Sequence, residues 1–339
     1  MLAVVKASPG PGFVLQDVPV PQPPAGWVRV RVRAVGICGT DIPIFEGIRP
    51  VPYPLIPGHE FAGEIDALGP GVTDWQTGDR VAVGLVIGCG ACPACYRGEE
   101  NLCPRITEIG IHIHGAFAEY VLAPTKTLHR LPDHLSFADG ASVDPLASSY
   151  RGIRRLNLQP RDDVAIFGLG PIGLYALQAV RAHGVRRVIA ITPHRGLRSE
   201  IAHRIGADAV IESAACGDLA EAVRAANGGA LPSVVIEATG QPSVFADLYR
   251  AAAPGARVLL LGIFHERGMF DPAQIIRREL RVAGSFCYAW DDFEASLDLI
   301  ARGQVRTAPV ITHTLPLSHM AEALERIHRR EAVKVILEP

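Results

Sequence analysis

The chain has 339 residues and a mass of 36.3 kDa, with 48% hydrophobic and 20% charged residues, which excludes a disordered chain and suits about two packed domains. A net charge of −2 and a pI near 6.6 give no global attraction to nucleic acid or to an anionic membrane. No apolar run reaches the roughly 18 residues of a membrane span, and residues 1–12 lack the basic end and apolar stretch of a secretory signal, so the expected location is the cytoplasm. The seven cysteines are Cys38, Cys89, Cys92, Cys95, Cys103, Cys216 and Cys287. An odd number in such a chain points to metal chemistry rather than a disulfide framework.

Residues 1–130 read as short β segments. Trp27, Val28, Arg29, Val30, Arg31, Val32 and Arg33 alternate apolar and basic, the period of a half-buried strand. Residues 78–83 read as a turn followed by a strand. From about Pro160 the texture changes to short apolar runs (164–167, 188–191, 234–236, 258–261) alternating with helical stretches, which implies parallel βαβ units. After about Gly284 the texture is mixed, with a helix around 291–302 and a terminal strand at 333–337. The expected organisation is α/β: a β-rich domain from 1–148 and 285–339, with a small lobe at 88–104, around a doubly wound parallel-sheet domain at 149–284.

Gly168, Leu169, Gly170, Pro171, Ile172 and Gly173 match G-x-G-x-x-G between an apolar strand and a helix. In that place the first Gly makes the tight turn, the second lets a pyrophosphate approach the backbone, and the third lets helix and strand pack closely. The phosphates then meet free N–H groups at the helix start. An NAD site usually carries an acid at the end of the second strand, where an NADP site supplies arginine instead. Here the strand runs into Thr192, His194, Arg195 and Arg198, with no acid before Glu200, which favours NADP over NAD. Arg198 taken alone reads equally well as a solvated helix residue. Thr239, just after the strand 234–236, is expected to have its backbone near the nicotinamide.

Cys89, Cys92, Cys95 and Cys103 give C-x2-C-x2-C-x7-C. Four thiolates so spaced fold a loop around one tetrahedral, structural Zn²⁺. The competing reading, an iron–sulfur cluster, finds none of the common ferredoxin spacings.

Two further runs, Cys38-Gly39-Thr40-Asp41 and Gly58-His59-Glu60-Phe61-Ala62-Gly63-Glu64, are unremarkable alone. Together with the cysteine lobe, the glycine turn, the run 114–120 and Asp144-Pro145-Leu146-Ala147, they resemble the zinc-dependent medium-chain alcohol and polyol dehydrogenases, nearest the sorbitol and threonine branch. The resemblance covers essentially the whole chain. It implies a GroES-like catalytic domain plus a Rossmann domain, two zinc ions and substrate bound between the domains. It also implies a homodimer or homotetramer acting on a small-molecule alcohol or ketone. Cys38 and His59 would ligate the catalytic zinc, with Glu60 either a ligand or a neighbour that displaces water. Asp144 stands where this branch commonly has Glu, binding zinc directly or through water. Thr40 would start a proton relay, and Phe45 and Phe117 are candidates for the pocket wall. The reaction implied is hydride transfer between a secondary alcohol (polyol, sugar or amino alcohol) and NADP, with NAD possible. The rivals are a zinc- and dinucleotide-binding sensor without turnover, and a zinc-free quinone or enoyl reductase.

Overall fold

The structure, a computed structural model, describes residues 1–268 and 271–339. The chain divides into two compact units: Met1–Pro145, Tyr288–Ala301 and Ile311–Pro339 form the first, and Leu146–Cys287 with Arg302–Val310 the second. None of the described helices is long and apolar enough to cross a membrane.

The first unit is organised by the long strand Trp27–Gly36. Its alternation resolves as expected: Val28, Val30 and Val32 are buried, while Arg31 and Arg33 face solvent. Among the described residues its sheet has seven strands. In spatial order they are Ile311–Pro316, Lys334–Glu338, Trp27–Gly36, Glu60–Leu68, Arg80–Val83 and Leu128–Arg130, with Tyr120–Pro124 also paired to Trp27–Gly36. One edge of Trp27–Gly36 is shared. Its first half pairs antiparallel with Tyr120–Pro124, from Trp27 opposite Pro124 to Arg31 opposite Tyr120. Its end pairs antiparallel with the terminal strand, Gly36 opposite Ile336. The other edge pairs with Glu60–Leu68, bringing Gly36 opposite Glu60. Three segments remote in sequence therefore meet at Gly36. Inward valines and isoleucines join Phe61 and Phe117 in the main core of this unit. Each such fully buried side chain contributes roughly 1.5–3 kcal/mol.

The second unit carries a six-stranded parallel sheet, counted among the described residues. Its order is Ala209–Glu212, Arg187–Thr192, Asp163–Phe167, Val234–Glu237, Arg257–Leu260, Arg281–Gly284. This is the doubly wound order in which the first strand is central and the topology reverses beside it. Asp163–Phe167 is buried at every position, as a strand covered on both faces must be. Helix Pro171–Ala182 follows it directly. The segment 302–310 is tied to that helix by Gln178, whose amide donates to Arg306 O at 3.0 Å and accepts from Arg306 N at 2.8 Å.

Candidate metal centre and cofactor site

The pairing of Gly36 with Glu60 dictates the local geometry of the first unit's site. Two residues past Gly36 the chain reaches Cys38; one residue before Glu60 stands His59. Cys38 Sγ, a ring nitrogen of His59 and a carboxylate oxygen of Glu60 lie within 4.8 Å of one another. His59 and Glu60 are buried and Cys38 is half-buried. A thiolate, an imidazole and a carboxylate at this spacing form a donor set suited to zinc.

Partners surround each donor. Asp41 Oδ2 accepts from Cys38 N at 2.9 Å, fixing the turn that aims the thiol. Asp41 Oδ1 faces His59 Nδ1 at 3.9 Å, and neither atom has a hydrogen-bond partner. A metal-bound histidine commonly donates its outer N–H to such a carboxylate. Lys334, buried on the terminal strand, pairs with Glu60 Oε2 and donates to Ile37 O at 3.0 Å. A Cβ at position 36 would crowd that Glu60 oxygen and displace it from its place beside Lys334. Tyr288 donates its hydroxyl to Asp144 Oδ2 and accepts from Leu85 N at 3.0 Å.

The electrostatics of this cluster suit a bound cation. Burial alone would depress His59, but the charges of Cys38, Asp41 and Asp144 hold its pKa well above the usual value. Burial raises Asp41. Burial, aided by the charge of Glu60, pushes Asp144 up to about 7 against the opposing pull of His59, Tyr288 and Lys334. Lys334 is raised: burial opposes its charge, and Glu60, Cys38 and Asp144 outweigh that burial. A divalent ion held by these donors would displace their protons.

Asp144 stands outside the 4.8 Å set, with one carboxylate oxygen occupied by Tyr288. Thr40 occupies the N-cap position of the short helix Asp41–Phe45, yet its side chain makes no capping bond, so the hydroxyl is not committed there. Phe117 is wholly buried in the core, and Phe45 packs edge-on against Phe13 at 5.2 Å; both have packing roles.

The four-cysteine lobe is compact. Cys92 Sγ lies 3.5 Å from Cys95 Sγ and 3.8 Å from Cys103 Sγ, and all four sulfurs fall within 4.8 Å. A tetrahedron with metal–sulfur bonds of about 2.3 Å has edges of about 3.8 Å. Backbone N–H groups of Cys89 and Arg105 point at Cys103 Sγ (3.4 and 3.3 Å), and that of Cys95 at Cys92 Sγ (3.5 Å). Such bonds favour thiolate: an N–H from Ala91 leads in drawing Cys89 down to about 6, while burial leaves Cys95 up at about 11.

In the second unit the glycine turn has the geometry its spacing implies. Gly168 adopts φ +94°, and a Cβ at Gly173 would collide with Gly168 O. Nothing lies within 4 Å of a Cβ built on Gly170, the N-cap of helix Pro171–Ala182, so its backbone is approachable. Leu169 is buried and Ile172 half-buried. Past the second strand, Thr192 is buried and His194 and Arg195 are exposed, while Arg198 is half-buried on helix Leu197–Arg204. A cavity of about 260 Å³ is lined by Arg195, Ser199, Glu200, His203, Val210 and Glu212. It takes in Arg195 but neither His194 nor Arg198. At the central strand's neighbour, Thr239 is held by buried Glu237, which accepts from Thr239 N at 2.6 Å, Thr239 Oγ1 and Gly240 N at 3.0 Å.

Sequence reasoning missed Asp41, Tyr288, Lys334 and Glu212. Lys334 did leave a signal, a lone cation inside the apolar run 333–337. Glu212 left none, because it reaches Thr192 only through the pairing of neighbouring strands.

Comparison with known proteins agrees with this architecture. The alcohol dehydrogenase GroES-like domain matches residues 24–133, and the zinc-binding dehydrogenase domain matches 171–302. A sorbitol dehydrogenase of Halalkalibacterium halodurans is 34% identical over 345 residues, spanning 100% of this chain and 99% of the relative. A solved alcohol dehydrogenase from Escherichia coli, complexed with NADH, superposes with TM-score 0.93 at 31% identity, covering 100% of this chain and 99% of that one. A zinc-binding dehydrogenase from Sinorhizobium meliloti, bound to NADP, does so with TM-score 0.93 at 34% identity and the same coverage. With matches of this length on both units, the chain belongs to the zinc-dependent medium-chain alcohol and polyol dehydrogenase family, an oxidoreductase working with zinc and a nicotinamide cofactor.

Proposed function

We propose that the protein interconverts a secondary alcohol (a polyol, sugar or amino alcohol) and its ketone, with NADP as the favoured hydride carrier. The observation that carries this reading is the three-donor set of Cys38, His59 and Glu60. Three protein ligands leave the fourth position of a tetrahedral ion to substrate, as catalytic zinc requires. When bound, zinc supplies a Lewis acid that eases loss of the alcohol proton, and the nicotinamide supplies the hydride acceptor.

The chain's own groups do the rest. Glu60 offers one oxygen to the metal while Lys334 neutralises the other. Asp41 fixes the Cys38 turn and sets a carboxylate 3.9 Å from His59 Nδ1. Asp144, held by Tyr288, acts on the metal through a water rather than as a direct ligand. Thr40, whose hydroxyl both donates and accepts, passes the alcohol proton toward solvent. Cys89, Cys92, Cys95 and Cys103 hold a second, structural zinc. The turn 168–173 takes the pyrophosphate on the start of helix Pro171–Ala182. Thr192 and Arg195 meet the adenosine ribose and its 2′-phosphate, with His194 and Arg198 flanking, and the loop at Thr239 lies beside the nicotinamide. The sorbitol dehydrogenase relative supports the polyol class, and the metal-donor set argues against a zinc-free reductase.

The test is nicotinamide absorbance across a panel of polyols, sugars, 1,2-diols and amino alcohols with NADP⁺ and NAD⁺. Turnover of one stereochemical class, stronger with NADP⁺, is expected. Turnover of none, in protein that carries zinc, would overturn the reading.

A further inference from the structure

The cavity beside the second strand of the parallel sheet is not uniformly basic. Strand Arg187–Thr192 pairs in parallel with Ala209–Glu212, and the register sets Thr192 opposite Glu212. Val210 and Glu212, two positions apart on one strand, share a face and line the cavity with Arg195, Ser199, Glu200 and His203. Arg195 and His203 thus share the cavity with two carboxylates. They are not equivalent. Glu200 stands in the first turn of helix Leu197–Arg204, where the free N–H groups of the helix start compensate a negative charge. Glu212 ends a strand, is only half-buried and caps nothing with its side chain, so its charge stays available to the cavity.

We infer that Glu212 is a cofactor-specificity residue: its carboxylate repels the 2′-phosphate of NADP and holds this chain's preference for NADP over NAD well below what Arg195 alone would give. The inference rests on the reading that this strand end receives the adenosine ribose. Repulsion between a carboxylate and a phosphate carrying nearly two negative charges at neutral pH selects against the phosphorylated cofactor while leaving the unphosphorylated ribose free to accept or donate hydrogen bonds. An acid one strand away from the usual position thereby performs part of the discrimination that the second strand's own end does not. It also explains why the 192–198 segment, read by itself, looks more strongly committed to NADP than the folded cavity is.

The experiment is calorimetric binding of 2′,5′-ADP and of 5′-AMP to the full chain, comparing wild type with E212Q, E212D and R195A. The readout is the ratio of the two affinities within each protein, so a loss of properly folded material cancels. E212Q is expected to raise the preference for 2′,5′-ADP about tenfold, equivalent to about 1.4 kcal/mol. E212D, which keeps the charge, should stay near wild type, and the E212Q gain should shrink at high salt, where exposed charges are screened. A ratio unchanged within twofold in E212Q overturns the inference, as does an E212D ratio that rises with it. R195A tests the underlying reading separately. A fall in the ratio supports the Arg195 assignment, whereas an unchanged ratio in R195A beside a raised one in E212Q discards Arg195 and keeps Glu212. Failure of every protein to bind either nucleotide overturns both.

Discussion

The two metal-type clusters of the first unit are built by opposite means. In the cysteine lobe the outermost donors, Cys89 and Cys103, are 14 positions apart, and short turns with backbone N–H groups hold the sulfurs. In the Cys38–His59–Glu60 cluster the partners come from far away: Lys334 is 274 positions from Glu60, and Tyr288 is 144 from Asp144. The lobe is a loop that an ion would complete. The other cluster is a product of the sheet, assembled where three strands meet at Gly36, and would exist in outline without any ion. A metal should therefore contribute mainly to stability in the lobe and mainly to chemistry in the cluster.

Paired substitutions can break that contrast. Cys38→Ser is expected to lower kcat/KM by about 10⁴-fold, roughly 5.5 kcal/mol of transition-state stabilisation, with one zinc lost by elemental analysis and little change in Tm. Cys92→Ser should do the reverse: one zinc lost and a Tm lower by roughly 10 °C, several kcal/mol for a unit of this size, while the remaining folded protein still turns over. If both variants lose activity and Tm in step, the division of labour is wrong.

The same contrast explains what could be read from sequence. The lobe is legible because four like donors lie close together and local spacing alone fixes their geometry. The glycine turn is legible for the same reason, since Gly168, Gly170 and Gly173 each answer a steric demand within six residues. Cys38 and His59 were identifiable only through resemblance, because their proximity depends on the register that sets Gly36 opposite Glu60. Lys334 and Glu212 lie a further step away: their importance comes from which strand lies next to which, and strand adjacency is not written in spacing. Asp41 was overlooked for another reason. It sits in the same run as Cys38 and Thr40, but a carboxylate after a turn ordinarily reads as a helix-start residue.

Lys334 sharpens the contrast from the side of the fold. Lys334→Met would leave the Glu60 carboxylate buried without its cation, at a cost of about 3–5 kcal/mol in chemical denaturation. Lys334→Arg should recover part of that loss. A Lys334→Met protein as stable as wild type would mean that the ion pair does not hold the cluster together.

Next in size is Thr40. Thr40→Val is expected to cut kcat about 10²-fold without changing zinc content, and Thr40→Ser to restore most of it, because only the hydroxyl is needed for the proton step. A valine variant with wild-type kcat would remove Thr40 from the relay.

The smallest effect separates the two units by acid. Asp163 lies at the start of the central strand of the parallel sheet, where burial by itself would raise its pKa. Hydrogen bonds from Arg186 and Asn227, with the charges of Arg186 and Arg187, more than reverse that, so its folded pKa lies below the ordinary carboxylate value. A depressed folded pKa means that the contribution to stability is complete above the unfolded value of about 3.9 and is lost as pH falls through the folded one. Asp163→Asn should thus lower the stability of the second unit at neutral pH and flatten its acid limb, moving the midpoint by a fraction of a pH unit. Trp27, Trp75 and Trp290 all lie in the first unit, so tryptophan fluorescence follows that unit while far-UV circular dichroism follows both. The substitution should move the dichroism transition and leave the fluorescence transition in place. Fluorescence moving together with dichroism would show that the units do not unfold independently.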